Sequence, residues 1–160
     1  MDPPAALRFR ILGPLEVTRG GLALALGGPR QKAVLACLLV HANEVVPLDA
    51  LADGIWEGRP PDSATGTIRT YVSHLRRVVG AGPPGGDGHV LETTPPGYRL
   101  RVEPGQLDSD EFERLLEQAR RARADGAPEL ALGHLNQALG LWHGPALADF
   151  AAESFAHAEA

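Results

Sequence analysis

The chain has 160 residues, 15 Lys+Arg against 20 Asp+Glu, and a formal net charge of −5; 44% of it is hydrophobic and 5% aromatic. Those proportions exclude a disordered or fibrous chain and call for a core of Leu, Val, Ile and Ala. The charge is unevenly divided: residues 1–105 carry 11 basic and 10 acidic groups, residues 106–160 carry 4 and 10, and residues 63–86 hold no acid at all.

Leu7, Phe9 and Ile11 alternate with Arg8 and Arg10, the period of a half-buried strand. Gly13-Pro14 interrupts it, and Leu15, Glu16 and Val17 read as a second short strand. Gly20-Gly21 supplies a turn, after which Leu22, Leu24 and Leu26 alternate again. Three short strands with tight turns predict a small antiparallel sheet.

The period then changes. Pro29 suits a first helical turn, and Val34, Leu35, Leu38 and Leu39 recur at helical spacing up to Asn43, a residue that tolerates a left-handed stop. Arg30 and Lys32 sit at the start of this helix, where the dipole disfavours cations, so a phosphate contact is one use for them. A shorter helix follows through Leu48, Leu51, Ala52, Ile55 and Trp56, ended by Gly58 and Pro60-Pro61.

The acid-free stretch predicts a third helix, capped by Asp62 or Ser63 and closed by Gly80. At the ~100° turn per residue of an α-helix, Val72, Leu75 and Val79 fall within about 40° of Ile68. Tyr71 and Val78 flank that stripe. Arg77 and Thr70 point the other way with Ser73 nearby, Arg69 and Arg76 share one shoulder, and Thr67 and His74 share the other. One side is core; the opposite side is basic and rich in hydrogen-bond donors.

A Gly/Pro loop follows, and then two strands: Val90-Leu91, and Tyr98, Leu100 and Val102, joined through Pro96-Gly97, good turn chemistry. Arg99 and Arg101 alternate with the apolar residues and face the other side of this ribbon. The second unit starts near Leu107. Ser109 or Asp110 is expected to cap a helix whose inner face is Phe112, Leu115, Leu116, Ala119 and Ala122. Asp125-Gly126 ends it, and Pro128 opens a helix predicted to pack through Ala131, Leu132, Leu135, Ala138, Leu139 and Trp142. Such a pair reads as one tetratricopeptide-like hairpin, which cannot cover its own apolar surface alone. Residues 153–160 read as the start of a further helix.

The expected fold class is therefore α+β: an N-terminal antiparallel sheet, three helices and a wing hairpin over 1–105, then an all-α segment over 106–160. In a winged helix the third helix lies in the major groove of double-stranded DNA. Carboxylates there would repel phosphates, whereas Arg, Thr, Ser and His donate to phosphates and base edges.

The segments "RQKAVLACLLVHANEVV", "LADGIW", "TIRTYVSHLRRVVG" and "PGYRL" resemble the OmpR-type winged helix of the Streptomyces antibiotic regulatory protein family. "DSDEFERLLEQAR" followed by "ALGLWHGPALADF" is similar to the start of that family's bacterial transcriptional activation domain. The resemblance implies an activator, often of an antibiotic cluster, that binds direct repeats near the −35 promoter element as tandem protomers and recruits RNA polymerase through its sigma factor. It implies DNA contacts at Thr67, Thr70, Ser73, His74, Arg76 and Arg77; Arg69 on the same helix and Arg99 on the wing complete the candidate set. His74 stands where many relatives carry Arg, and the wing tip, Pro95-Pro96, lacks an arginine.

Other functions find little footing. Residues 80–85 match G-x-G-x-x-G, but they follow a helix and open none, so no cofactor is expected. The histidines lack metal-ligand spacing, Asp49, Asp53 and Glu57 form a solvated stripe, and no nucleophile has a base, so neither a metal nor an enzyme is expected. A winged-helix interaction module that reads no DNA is the alternative. The longest apolar run, residues 33–40, is far short of the ~20 residues that span a bilayer. With one cysteine and no recognisable signal peptide, a cytoplasmic location is expected.

Overall fold

A computed structural model describes residues 6–81 and 88–150. Most of the predicted Gly/Pro loop (82–87) and the predicted last helix (153–160) lie outside them.

β1 (Leu7–Arg10), β2 (Glu16–Arg19) and β3 (Leu22–Ala23) form an antiparallel sheet in that order. Period-two alternation places Phe9 and Val17 in the core, directly paired across the strands. The third strand is shorter than the Leu22–Leu24–Leu26 alternation predicts. Its register covers Leu22 and Ala23, with one further bond from the Leu24 N–H to Val17 O at 2.8 Å, before the chain turns through Gly27 (φ 89); Leu22 is exposed while Leu26 is buried.

α1 (Pro29–Val40), α2 (Leu48–Ile55) and α3 (Ala64–Val79) pack on one another. Val34, Leu35, Leu38 and Leu39 fill the centre, and Cys37 is buried beside them, which pushes its thiol up to about 11. Asn43 does adopt a left-handed conformation (φ 66), and its amide has a further use. The Val102 N–H donates to Asn43 Oδ1 at 2.8 Å, and Asn43 Nδ2 donates to Val102 O at 3.1 Å. The side chain so continues a strand-like ladder where no strand is present.

The hairpin of β5 (Leu91–Thr94) and β6 (Gly97–Leu100) gains an unpredicted third member, β4 (Val46–Pro47), giving the order β4-β6-β5. Gly97 serves this approach as well as the turn: a Cβ there would lie 1.9 Å from the Val46 carbonyl oxygen.

α4 (Asp108–Ala124) and α5 (Pro128–Gly140) form the expected hairpin, joined through small Ala119, Ala122 and Ala131. Two details differ from expectation. Leu107, not Ser109 or Asp110, is the capping residue of α4, and Asp108, the first helical residue, gives its carboxylate to the N–H groups of Ile11 and Leu12 just past β1. Ala131 and Ala138 of α5 are buried, but Leu132, Leu135 and Leu139 are 58%, 39% and 67% exposed. A single hairpin gives each helix one neighbour; Leu132 and Leu139 lie about 80–100° around α5 from Ala131, and Leu135 lies at the edge of the contact.

The two units share the N-terminal strand. The Phe9 N–H donates to Gln106 O at 2.7 Å, those of Ile11 and Leu12 donate to the two Asp108 carboxylate oxygens at 2.9 and 3.0 Å, and the Leu147 N–H donates to Ile11 O at 2.8 Å.

Candidate nucleic-acid interface

α3 divides by sides as its sequence dictates. Ile68, Val72, Leu75 and Val79 are each at most 1% exposed, and Tyr71 and Val78 pack against the same core. Arg69, Thr70, Ser73, His74 and Arg77 are exposed, while Thr67 and Arg76 are half-buried. Ser63 is the capping residue, though its side chain makes no capping bond. At the other end Gly80 (φ 80) donates its N–H to Arg76 O at 2.9 Å. Arg19, from β2, donates to Val79 O at 2.5 Å and sets a cation against the negative end of the helix dipole.

The candidate residues are not equally available. The Thr70 hydroxyl donates back to Gly66 O at 3.1 Å, so toward a ligand it offers lone pairs and a methyl group. Arg76 donates through Nε to Leu91 O at 2.8 Å and through Nη2 to Thr93 Oγ1, with its guanidinium 6.0 Å above the Tyr98 ring. Arg99 grips Glu92 Oε2 through Nε and Nη2 at 3.0 and 2.7 Å, and Arg101 reaches Glu92 Oε1 at 3.3 Å. The wing arginines thus surround an acid that is 2% exposed, directly opposite Arg99 in the ladder. Glu92 was the missed partner. Its signal was an acid at a strand position that pairs with an arginine.

The aromatic residues serve the fold. Tyr98 is buried and Trp56 packs on the core beneath Arg30, whose guanidinium carbon lies 5.5 Å from the ring centroid. Trp142 meets Phe112 edge-on at 5.6 Å. Among the described residues no three His, Cys, Asp or Glu side chains converge to hold a metal, and no helix is long and apolar enough to cross a membrane.

Comparison with known proteins agrees with this geometry. Residues 24–100 match the family "Transcriptional regulatory protein, C terminal", and residues 107–160 match the "Bacterial transcriptional activator domain". The chain is 44% identical over 146 residues to the transcriptional regulatory protein MoaR1 of Mycobacterium tuberculosis, covering 90% of this chain and 46% of that protein. It is 37% identical over 147 residues to the regulatory protein DnrI of Streptomyces peucetius, covering 89% and 54%. A solved structure of Mycobacterium tuberculosis EmbR, in complex with a low-affinity phosphopeptide, superposes with a TM-score of 0.88 at 38% identity, over 96% of this chain and 40% of that one. The chain therefore spans about half the length, or less, of these relatives. It joins an OmpR-type regulatory domain to a bacterial transcriptional activator domain, and so belongs to the Streptomyces antibiotic regulatory protein family of transcriptional regulators.

Proposed function

We propose that residues 1–105 read double-stranded DNA through α3, while residues 106–160 belong to a protein-contacting activation unit. The observation that carries this reading is the exposed, acid-free side of α3 beside a β-hairpin. The 16 residues of α3 span about 24 Å at ~1.5 Å per residue, enough to follow a major groove across several base pairs. Arg77 and Arg69 are the proposed charged contacts, since both guanidinium groups are exposed. Thr67, Thr70, Ser73 and His74 supply shorter polar contacts around them. The family points further, to direct repeats in promoters occupied by tandem protomers, to RNA polymerase with its sigma factor as the partner recruited, and to an antibiotic cluster as the target.

Electrophoretic shift over a salt series tests the reading. Binding should weaken with a log–log slope of about −0.9 per phosphate neutralised. Arg77→Ala should cost about 1–3 kcal/mol and relax preference at one base position if Arg77 forks onto a base. An unchanged affinity for the Arg69/Arg77 double alanine would falsify the assignment. Salt-insensitive behaviour with stable capture of a protein would instead favour an interaction module.

A further inference from the structure

We infer that Arg76 is a positioning residue: it fixes the angle of the wing against the recognition helix and does not itself read DNA. This deepens the proposed role of α3 and rests on it.

Arg76 and Arg77 are neighbours in sequence, yet a helix turns ~100° between them, and they meet different surroundings. Arg77 is exposed, whereas Arg76 is half-buried against the hairpin. A guanidinium presents its donors in a rigid planar fork. Arg76 commits Nε to Leu91 O and Nη2 to Thr93 Oγ1, two positions apart on β5, and lays its face over Tyr98 on β6. One side chain from the helix therefore holds both strands of the wing. The hairpin is also tied through β4 on the far side of β6, through Asn43 to Leu100 and Val102, and through the Val90 N–H, which donates to Gly80 O at 3.3 Å; Arg76 is the tie made by a side chain of the recognition helix.

The consequence is geometric. If helix and wing engage one duplex together, the angle between them decides whether both do so without further ordering. Freeing the wing costs affinity through lost preorganisation, while the count of phosphates neutralised stays the same. A lysine in place of Arg76 keeps the charge but loses the planar fork.

The test uses Arg76→Ala, Arg76→Lys and Arg77→Ala chains. The DNA probe is a set of duplexes that the wild-type chain enriches from a random-sequence pool. Both Arg76 variants should bind roughly tenfold more weakly, the scale of one lost charge-assisted hydrogen bond, with the wild-type salt slope. Arg77→Ala should instead shrink that slope by about 0.9. In the DNA-free proteins, hydrogen exchange should quicken at β5 and β6 amides in both Arg76 variants while α3 amides keep their protection. Recovery of affinity in Arg76→Lys, or a slope that shrinks by about 0.9 in Arg76→Ala, makes Arg76 a phosphate contact and overturns the proposal. Unchanged exchange in the wing overturns it too. If the wild-type chain enriches no duplex, it is the DNA reading of α3 that fails, and the exchange measurement still decides whether Arg76 holds the wing.

Discussion

Gly97→Ala should lower the stability of the chain by about 3 kcal/mol, at the upper end of what overpacking a well-fitted site costs. The added methyl would lie 1.9 Å from the Val46 carbonyl oxygen and 2.8 Å from the Pro47 Cα. Both are backbone atoms, so no rotamer change makes room, and the strands must part. Pro47 pairs with Gly97 and Val46 with Tyr98, and the Leu48 N–H at the start of α2 donates to Pro96 O at 3.2 Å. Separation of β4 from β6 therefore loosens the wing's hold on the start of α2. Urea unfolding measures the effect, and Gly133→Ala provides the control. Gly133 lies inside α5 with nothing within 4 Å of its Cβ position, so that alanine should stabilise by about 0.5–1 kcal/mol through helix propensity. A wild-type urea midpoint for Gly97→Ala would mean that β4 does not make this approach.

The division of α3 into a buried and an exposed side was legible because helical period alone fixes which residues share a side. Ile68, Val72, Leu75 and Val79 lie where their spacing puts them. What period cannot tell is whether a partner reaches a polar side chain from another element. Arg76 and Arg99 look as free in the sequence as Arg77 does, yet one is held by β5 and the other by Glu92. β4 was missed for a related reason: two residues ending in a proline carry no alternation, and their pairing is set by Gly97, far along the chain. The α5 leucines show the reverse case. Their spacing correctly marks an apolar side, but spacing does not say whether anything covers it, and Leu130, Leu132, Leu135 and Leu139 are all exposed.

Asp108 illustrates the same limit and yields the second large effect. Spacing marks it as one of several acids at a helix start, where the dipole welcomes them. Its carboxylate in fact receives the N–H groups of Ile11 and Leu12, residues that are 0% and 2% exposed. Asp108→Ala leaves both donors buried without their acceptor, a loss of about 1–3 kcal/mol each. Relief of the carboxylate's own burial offsets part of that, so a net cost of about 2 kcal/mol is expected at neutral pH. The damage should fall on the junction between the units, with faster proteolysis at exposed Glu103, Pro104 and Gly105. The pH dependence has a definite sign. Burial raises the Asp108 pKa, against the pull of the N–H groups of Ile11, Leu12 and Ser109 and of the Arg10 charge. A folded pKa above the unfolded one means that folding takes up a proton. This contribution is fully present below the unfolded value of about 3.9 and is lost as pH rises through the folded value. The deficit of Asp108→Ala relative to wild type should therefore be widest in acid and narrow toward neutrality. A deficit that widens instead would show that the N–H groups of Ile11, Leu12 and Ser109 favour the carboxylate more than its burial opposes it.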